Sequence, residues 1–246
     1  MLLPVWSKED LYTVEITLAE MLKVVILGIV EGLTEWLPVS STGHMILVDE
    51  FIRLNVSTAF MDMFLVVIQL GAILAVVVLN AKKLNPFLGS KTRSERRDTL
   101  DLWGKVIVAC LPAAVIGLAF NKYMEEHFMN APVVASMLIL YGILFIVVER
   151  WNKRRTPRVK SLAALDYRMA FIIGVFQVLS LVPGTSRSGA TILGGIIFGA
   201  SRYVATEFTF FLAIPVMFGA SFLKLVKFGW HYTGAELLIL TVGMVT

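Results

Sequence analysis

The chain has 246 residues, of which 57% are hydrophobic and 16% are charged, and its mean hydropathy is +0.79. A soluble domain carries roughly 25% charged residues, so this composition excludes an ordinary soluble enzyme and indicates an integral membrane protein. The net charge is +4, but the basic residues cluster in two short loops between apolar segments, which is typical of membrane topology rather than of nucleic-acid binding. We therefore expect one integral membrane domain over residues 1–246 and no nucleic-acid partner.

The first apolar segments are too short to cross a bilayer. Residues 19–30 predict a helix that covers only about 18 Å, and the proline at position 38 prevents it from continuing. A second short apolar piece follows at residues 45–54. Two short helices around a break predict a re-entrant hairpin, which membranes tolerate only where protein or a cavity surrounds the broken backbone. Residues 60–79 then predict a complete span.

The remaining apolar segments define an orientation. Two further spans are expected at residues 102–120 and 132–148, between basic loops at 80–105 and 150–168. Loops separated by two spans lie on the same side, and their positive charge predicts that this side is cytoplasmic. Short pieces at 169–182 and 190–200 predict a second re-entrant hairpin, and 206–226 predicts a span. A last span begins near residue 236 and is incomplete at residue 246, so we expect a truncated or unusually short end.

The two broken regions resemble each other. A shift of 146 residues aligns repeat 1, about residues 19–120, with repeat 2, about residues 168–246. The most informative matches are glycines and serines: Gly28 with Gly174, Ser40 with Ser186, and Gly43 with Gly189. The spans that follow the hairpins run in opposite directions, so the fold class we predict is an all-α polytopic membrane protein with an inverted-topology repeat. In such folds the two breaks meet near the membrane midplane and form the binding site.

The first break carries two carboxylates on one helical face. Glu31 and Glu35 are four residues apart, and two close carboxylates in an apolar site require a cation or a shared proton. A hard divalent cation with oxygen ligands, Mg²⁺ or Ca²⁺, fits this pair. The alternative is that one of them is a structural acid paired with Arg187.

Hydroxyl groups stand at the expected helix starts after both breaks. Free backbone N–H groups at such helix starts bind anions, although each hydroxyl is equally explained as a simple helix cap. His44 follows Ser41 by three residues, on the same face of the helix, and a hydroxyl beside an imidazole is the usual arrangement of an activated nucleophile. The hydroxyl residues concerned are Ser40, Ser41, Thr42, Ser186 and Ser188.

Arg187 is the most informative single residue. An arginine inside a broken membrane helix needs an anion, and its planar guanidinium matches a phosphate group. Together with the carboxylates, the helix starts and the Ser/His pair, it indicates phosphoryl transfer from a lipid substrate. The alternative is a transporter or flippase of a lipid phosphate, because inverted repeats with broken helices are also common in transporters.

Two segments carry a family resemblance. EGLTEWLPVSSTGH at residues 31–44 and PGTSRSGAT at residues 183–191 resemble the two signature segments of the bacterial undecaprenyl-diphosphate phosphatases, the bacitracin-resistance family. The resemblance implies a multi-pass enzyme of the bacterial cytoplasmic (inner) membrane that hydrolyses a polyprenyl diphosphate and recycles the carrier lipid for peptidoglycan. It also implies two re-entrant hairpins, a divalent cation and a site open to the extracytoplasmic face.

The resemblance also assigns expected roles to individual residues. It implies that Glu31 and Glu35 are essential acids that hold the metal or position water, and that Arg187 clamps the diphosphate. Ser41 is the expected nucleophile, with His44 as base and later acid, although the motif alone leaves open which of the two attacks. The expected substrate-binding residues are Arg187 with Ser40, Thr42, Gly184, Ser186 and Ser188.

Overall fold

The computed structural model describes residues 16–128 and 130–246, without the side chains of residues 121, 122, 125, 126 and 131. The described residues form helices and no β-sheet beyond one isolated bridge between Val159 and Ala200. The helices are α1 (Leu18–Glu35), α2 (Ser41–Ile52), α3 (Thr58–Val67), α4 (Gln69–Leu79), α5 (Ala81–Leu84), α6 (Arg93–Phe128), α7 (Ala131–Asn152), α8 (Tyr167–Gln177), α9 (Arg187–Ile197), α10 (Arg202–Phe228) and α11 (Gly234–Val245).

Four helical segments of the described chain are long and apolar enough to cross a membrane. They are Thr58–Leu79, Arg93–Phe120, Pro132–Asn152 and Arg202–Phe228, with mean hydropathies of 2.6, 2.0, 2.3 and 1.9. Each coincides with one of the spans expected from the sequence. The prediction of an all-helical, multi-pass membrane protein is therefore confirmed at the level of helix length and composition.

Two of these segments differ from the sequence-based expectation. The first is interrupted at Ile68, between α3 and α4. The second begins at Arg93 rather than at residue 102, so the prediction of a loop through residue 105 was wrong. Thr92 and Glu95 explain the early start: the Thr92 hydroxyl accepts from the Glu95 amide at 3.3 Å, and the Glu95 carboxylate accepts from the Thr92 amide at 2.7 Å. This reciprocal capping satisfies two backbone donors at the helix start.

The helices around the two breaks are short. At about 1.5 Å per residue, α1 and α2 are about 27 and 18 Å long and α8 and α9 about 16 Å each, below the roughly 30 Å of a bilayer core. A 3₁₀ turn at Val178–Leu181 follows α8. Helix α1 packs on α2, and α8 packs on α9, so each short helix is paired with its neighbour across a break.

Helix α10 connects the two buried cores of the described chain. One core surrounds α8 and α9 and contains Ile173, Phe208 and Phe211. The other surrounds α1, α3 and α11 and contains Leu27 and Phe64. Because α10 packs on α3 and α4 as well as on α9, it holds the first broken region against the second.

Small residues allow the helices to approach closely. A Cβ atom added at Gly174 in α8 would overlap the backbone of Ala109 in α6, and one added at Gly195 in α9 would lie 2.9 Å from the Cβ of Ala205 in α10. Lipid tails are as apolar as the side chains, so helix association in membranes depends on such close van der Waals packing. Glycine is therefore required at these two crossings.

We expect Gly174→Val to lower the thermal unfolding midpoint of the purified protein, because overpacking of this kind costs about 1–3 kcal/mol. Gly219→Val is the matched control, since Gly219 also lies in a membrane-length helix but has nothing within 4 Å of an added Cβ. Equal midpoints for the two variants would contradict the close α6–α8 packing.

Candidate functional site

The first break lies between the end of α1 at Glu35 and the start of α2 at Ser41. Pro38 lies in this interval and cannot continue a helix. Ser40 caps α2, since its hydroxyl accepts from the Gly43 amide at 3.3 Å. Its φ angle is +66°, a conformation that residues other than glycine adopt rarely and at some cost. The break is thus a strained, defined turn rather than a loose loop.

The second break has the same plan. Helix α9 begins at Arg187, and the hydroxyl of Ser186 accepts from the Gly189 amide at 3.0 Å. Gly184 has a φ of +85°, and an added Cβ there would lie 2.7 Å from the backbone of Val134 in α7. Only glycine satisfies both constraints, so the turn can lie directly against α7.

Glu35 joins the two breaks. One of its carboxylate oxygens, Oε1, accepts a hydrogen bond from Nη2 of Arg187 at 2.6 Å. The other, Oε2, accepts from the Ser41 hydroxyl at 2.5 Å. The exposed fractions of the Glu35 and Arg187 side chains are only 11% and 15%, so water screens this ion pair little. Residues 152 positions apart in the chain thereby form one polar centre.

Several buried polar atoms around this centre have no hydrogen-bond partner among the described residues. They include Oε1 of Glu31 and Nη1 of Arg187. Glu31 is 2% exposed and lies one helical turn before Glu35 in α1. A buried polar atom without a partner is costly and calls for an explanation. An acceptor and a cationic donor left free beside one ion pair are what a site needs to bind a charged ligand.

His44 lies beside the same centre but does not share a hydrogen bond with Ser41. Its Nδ1 atom lies 2.9 Å from the Ser40 carbonyl oxygen. A carbonyl only accepts, so Nδ1 carries the hydrogen and Nε2 of the neutral ring is left as an acceptor. The Ser41 hydroxyl donates its hydrogen bond to Oε2 of Glu35. In this arrangement Glu35, rather than His44, is placed to accept the proton of Ser41.

The other sequence-predicted residues lie at the two helix starts. The Thr42 hydroxyl accepts from Nε2 of Gln69 at 3.0 Å, which ties α2 to the interruption between α3 and α4. The hydroxyls of Ser186 and Ser188 are 3.1 Å apart. Ser186 and Ser188 flank Arg187 in the sequence. Whether these hydroxyl groups contact substrate stays a prediction.

The α7 residues beside the breaks were not foreseen from the sequence, whereas Gln177 stands out there as a polar residue inside an apolar segment. Tyr141 and Phe145 in α7 border the breaks, together with Leu138 and Gly142. Gln177 is 1% exposed, and neither of its amide atoms has a partner among the described residues. Gln177 had a sequence signal, because it aligns with Glu31 under the shift of 146. The α7 residues had none, because they look like ordinary span residues.

The residues present fit a divalent cation that is completed by its substrate. The described part of the chain contains no group of three His, Cys, Asp or Glu side chains that could hold a metal. Both oxygens of Glu35 are engaged, whereas Oε1 of Glu31 is free. Mg²⁺ commonly binds one or two carboxylates and takes its other ligands from phosphate oxygens and water. The carboxylate pair satisfies that pattern and not a closed protein cage.

The fold and the site define a class. The chain is a multi-pass helical membrane protein whose buried charged centre lies between two broken helices, with groups suited to an anionic ligand. The family model described as "Bacitracin resistance protein BacA" matches residues 24–246. The chain therefore belongs to the bacitracin resistance protein BacA family.

Curated relatives cover most of the chain. The undecaprenyl-diphosphatase of Desulfitobacterium hafniense is 62% identical over 229 residues, which are 93% of this chain and 82% of the relative. The proteins of the same name from Enterococcus faecalis and Streptococcus mutans are 60% and 61% identical. Both alignments cover 92% of this chain, and 83% and 82% of the respective relatives.

Proposed function

We propose that this protein is a phosphatase that hydrolyses undecaprenyl diphosphate to undecaprenyl phosphate and inorganic phosphate. The reaction recycles the carrier lipid for peptidoglycan and other envelope polymers, and it confers resistance to bacitracin. Relatives about 60% identical over nine-tenths of the chain carry the name of this activity. The observation that carries the proposal is the single carboxylate of Glu35 bonded to Arg187 and Ser41 across the two breaks.

The diphosphate is proposed to bind at Arg187 and at the starts of α2 and α9. Nη1 of Arg187 has no partner among the described residues, so it is available to a phosphate oxygen in a charge-assisted hydrogen bond. Helix starts add backbone N–H donors and a favourable dipole for anions. Ser40, Thr42, Gly184, Ser186 and Ser188 shape these two turns and are the proposed binding residues.

Ser41 is proposed to attack the terminal phosphorus. Its oxygen forms the new P–O bond while the bond to the bridging oxygen breaks, and polyprenyl phosphate leaves. The Ser41 proton passes to Glu35, which already accepts its hydrogen bond at 2.5 Å. Arg187 stabilises the negative charge that develops on the phosphoryl oxygens. Water then attacks the phosphorus of the phosphoserine, with Nε2 of His44 as the proposed base. The bond to the Ser41 oxygen breaks, this oxygen regains its proton from Glu35, and inorganic phosphate leaves.

A divalent cation, Mg²⁺ or Ca²⁺, is proposed to be held by Glu31 and Glu35 with oxygens of the diphosphate. Bound there, it would neutralise phosphate charge. Glu31 is the better-placed ligand because its Oε1 atom is free and buried. Without a cation, two adjacent carboxylates would repel both each other and the substrate.

The two broken regions are proposed to be re-entrant hairpins of an inverted-topology repeat. The support is local: Ser40 accepts from the Gly43 amide, and Ser186 accepts from the Gly189 amide, at positions related by the same shift of 146 residues. The interruption at Ile68 is followed by Gln69, and the same shift takes Gln69 to Pro215, the proline inside α10. The α7 residues beside the breaks are centred on the middle of that 22-residue helix, which suits a site near the midplane.

We place the protein in the bacterial cytoplasmic (inner) membrane, with the site open to the extracytoplasmic side. The basic segments at residues 80–105, which include the start of α6, and at residues 150–168 face the cytoplasm in this proposal, because positively charged segments remain on that side. The polyprenyl tail of the substrate then lies among the membrane lipids while its diphosphate enters between the breaks.

The activity is tested by release of inorganic phosphate from farnesyl or undecaprenyl diphosphate by purified protein in detergent, where no gradient exists to support transport. Ser41→Ala and Arg187→Ala are expected to lower kcat/KM by at least about 1,000-fold, since they remove the nucleophile and the phosphate clamp. His44→Ala is expected to cost about 100- to 10,000-fold, as loss of an acid–base group does.

Arg202→Ala and Ser221→Ala are the matched controls. Arg202 pairs with Glu149 at the end of a span, and Ser221 is a buried serine bonded to the Val66 carbonyl.

A chelator should abolish phosphate release, and Mg²⁺ or Ca²⁺ should restore it. Glu31→Gln should need a higher metal concentration for half-maximal activity than the parent protein. No phosphate release by the parent, or equal rates for parent, Ser41→Ala and Arg187→Ala, would refute the proposal.

The orientation is tested by labelling single cysteines in intact cells with an impermeant thiol reagent, in a Cys110→Ser background. Cysteines in the loops near residues 85–90 and 153–160 should be protected, and one at Asn130 should react. Reaction of the basic loops with protection at Asn130 would reverse the proposed topology.

A further inference from the structure

A cavity of about 370 Å³ lies between α7 and the two breaks. Four residues of α7 form one wall, and their spacing of three, four and seven residues places them on a single helical face. The two breaks and the start of α2 supply the rest of the lining, which is Pro38, Val39, His44, Gly184 and Ser186. The α7 residues are Leu138, Tyr141, Gly142 and Phe145. Ligand pockets range from roughly 300 to 1,000 Å³, so this cavity is large enough for a small molecular fragment.

Helix α7 fits closely against both breaks on either side of this cavity. A Cβ added at Gly43 in α2 would lie 3.4 Å from Leu138, and one added at Gly189 in α9 would lie 3.1 Å from Phe145. Tyr141, between these two contacts along α7, is itself only 8% exposed. The α7 wall is therefore held in place at both ends.

Gly142 is the exception on this wall. A Cβ added there would meet no atom within 4 Å, although its neighbours along the same helical face contact the breaks. No backbone contact requires a glycine at this position, and its φ is not in the left-handed region. The missing side chain leaves the space that forms the cavity.

The cavity is lined mainly by apolar residues, and His44 and Ser186 add polar groups from the two breaks. Ser186 directly precedes Arg187, the proposed phosphate ligand. An anionic group joined directly to a hydrocarbon fits a mostly apolar cavity that begins beside this turn. A prenyl diphosphate has this arrangement, because its first isoprene unit follows the diphosphate directly.

We propose that this cavity holds the first isoprene unit of the substrate and that Gly142 is a specificity-determining residue that keeps it open. The inference rests on the proposed phosphatase function and extends it from the diphosphate to the adjoining hydrocarbon. Arg187 and the helix starts bind the diphosphate, and the α7 wall fixes the chain that leaves it.

The test fills the cavity by substitution. Gly142→Ala and Gly142→Leu are expected to raise KM for farnesyl diphosphate progressively, with Gly142→Leu at about tenfold or more and kcat within about twofold, because apolar pockets discriminate mainly through such steric fit. Methylenediphosphonate, a diphosphate analogue without a hydrocarbon chain, serves as a competitive inhibitor. Its inhibition constant should stay within about twofold of the parent value in the same variants.

Gly219→Leu is the matched control, since Gly219 is a glycine of another span with equally open space, and it should leave KM unchanged. A KM within about twofold of the parent in folded Gly142→Leu, or equal increases in KM and in the inhibition constant, would overturn the inference while leaving the phosphatase function intact. If Gly142→Leu does not fold, the same two constants for Gly142→Ala decide. A parent protein that releases no phosphate would refute both proposals.

Discussion

The ion pair between Glu35 and Arg187 is the constraint on which the rest of the structure depends. Charges inside a membrane protein are costly and persist only where they are paired or functional. This pair is largely buried and closes at 2.6 Å, and removal of one member of a buried pair commonly costs about 3–5 kcal/mol. Because its members belong to different breaks, the pair fixes how the two halves of the chain meet.

The breaks are necessary for that contact, but breaking a helix costs free energy. Unbroken helices would satisfy their own backbone groups and present only side chains to the interior. The turns instead expose helix starts, at the cost of positive φ angles at Ser40 and Gly184. The surrounding helices compensate: α7 lies against Gly184, and the Trp36 ring packs edge-on against Phe210 of α10, with ring centroids 5.4 Å apart. Backbone strain at the breaks thus lies at Ser40, next to Ser41, whose hydroxyl bonds to Glu35.

The unpaired polar atoms determine which groups a ligand can bind in this site. Nη2 of Arg187 donates to Glu35, whereas Nη1 of Arg187 and Oε1 of Glu31 have no partner among the described residues. A charged ligand that binds both would be held between a fixed cation and a fixed acid, with Ser41 already bonded to Glu35. In the proposed mechanism, binding and proton transfer share the carboxylate of Glu35, which holds both Arg187 and Ser41.

Local patterns in the sequence located the four spans and the two breaks, although they missed the interruption at Ile68 and the early start of α6 at Arg93. Ser40 and Ser186 were recognisable because serine before a helix start has a local role, and Arg187 was recognisable because an arginine in an apolar chain is costly. The partner of the Ser41 hydroxyl was not predictable, because Glu35 and His44 are both near it in sequence and only the turn geometry selects between them. The α7 wall was also not predictable from the sequence. The space at Gly142 becomes apparent only when the three-dimensional structure places α7 beside the two breaks.

The most direct test of this account is a double-mutant cycle between Glu35→Gln and Arg187→Met, measured as the free energy of unfolding of the detergent-solubilised protein. If the two residues form the junction between the breaks, each single change destabilises the protein, and the double variant is more stable than additivity allows by about 1 kcal/mol or more. Additivity within about 0.5 kcal/mol would contradict the account, because the two breaks would then be held together by something other than this pair.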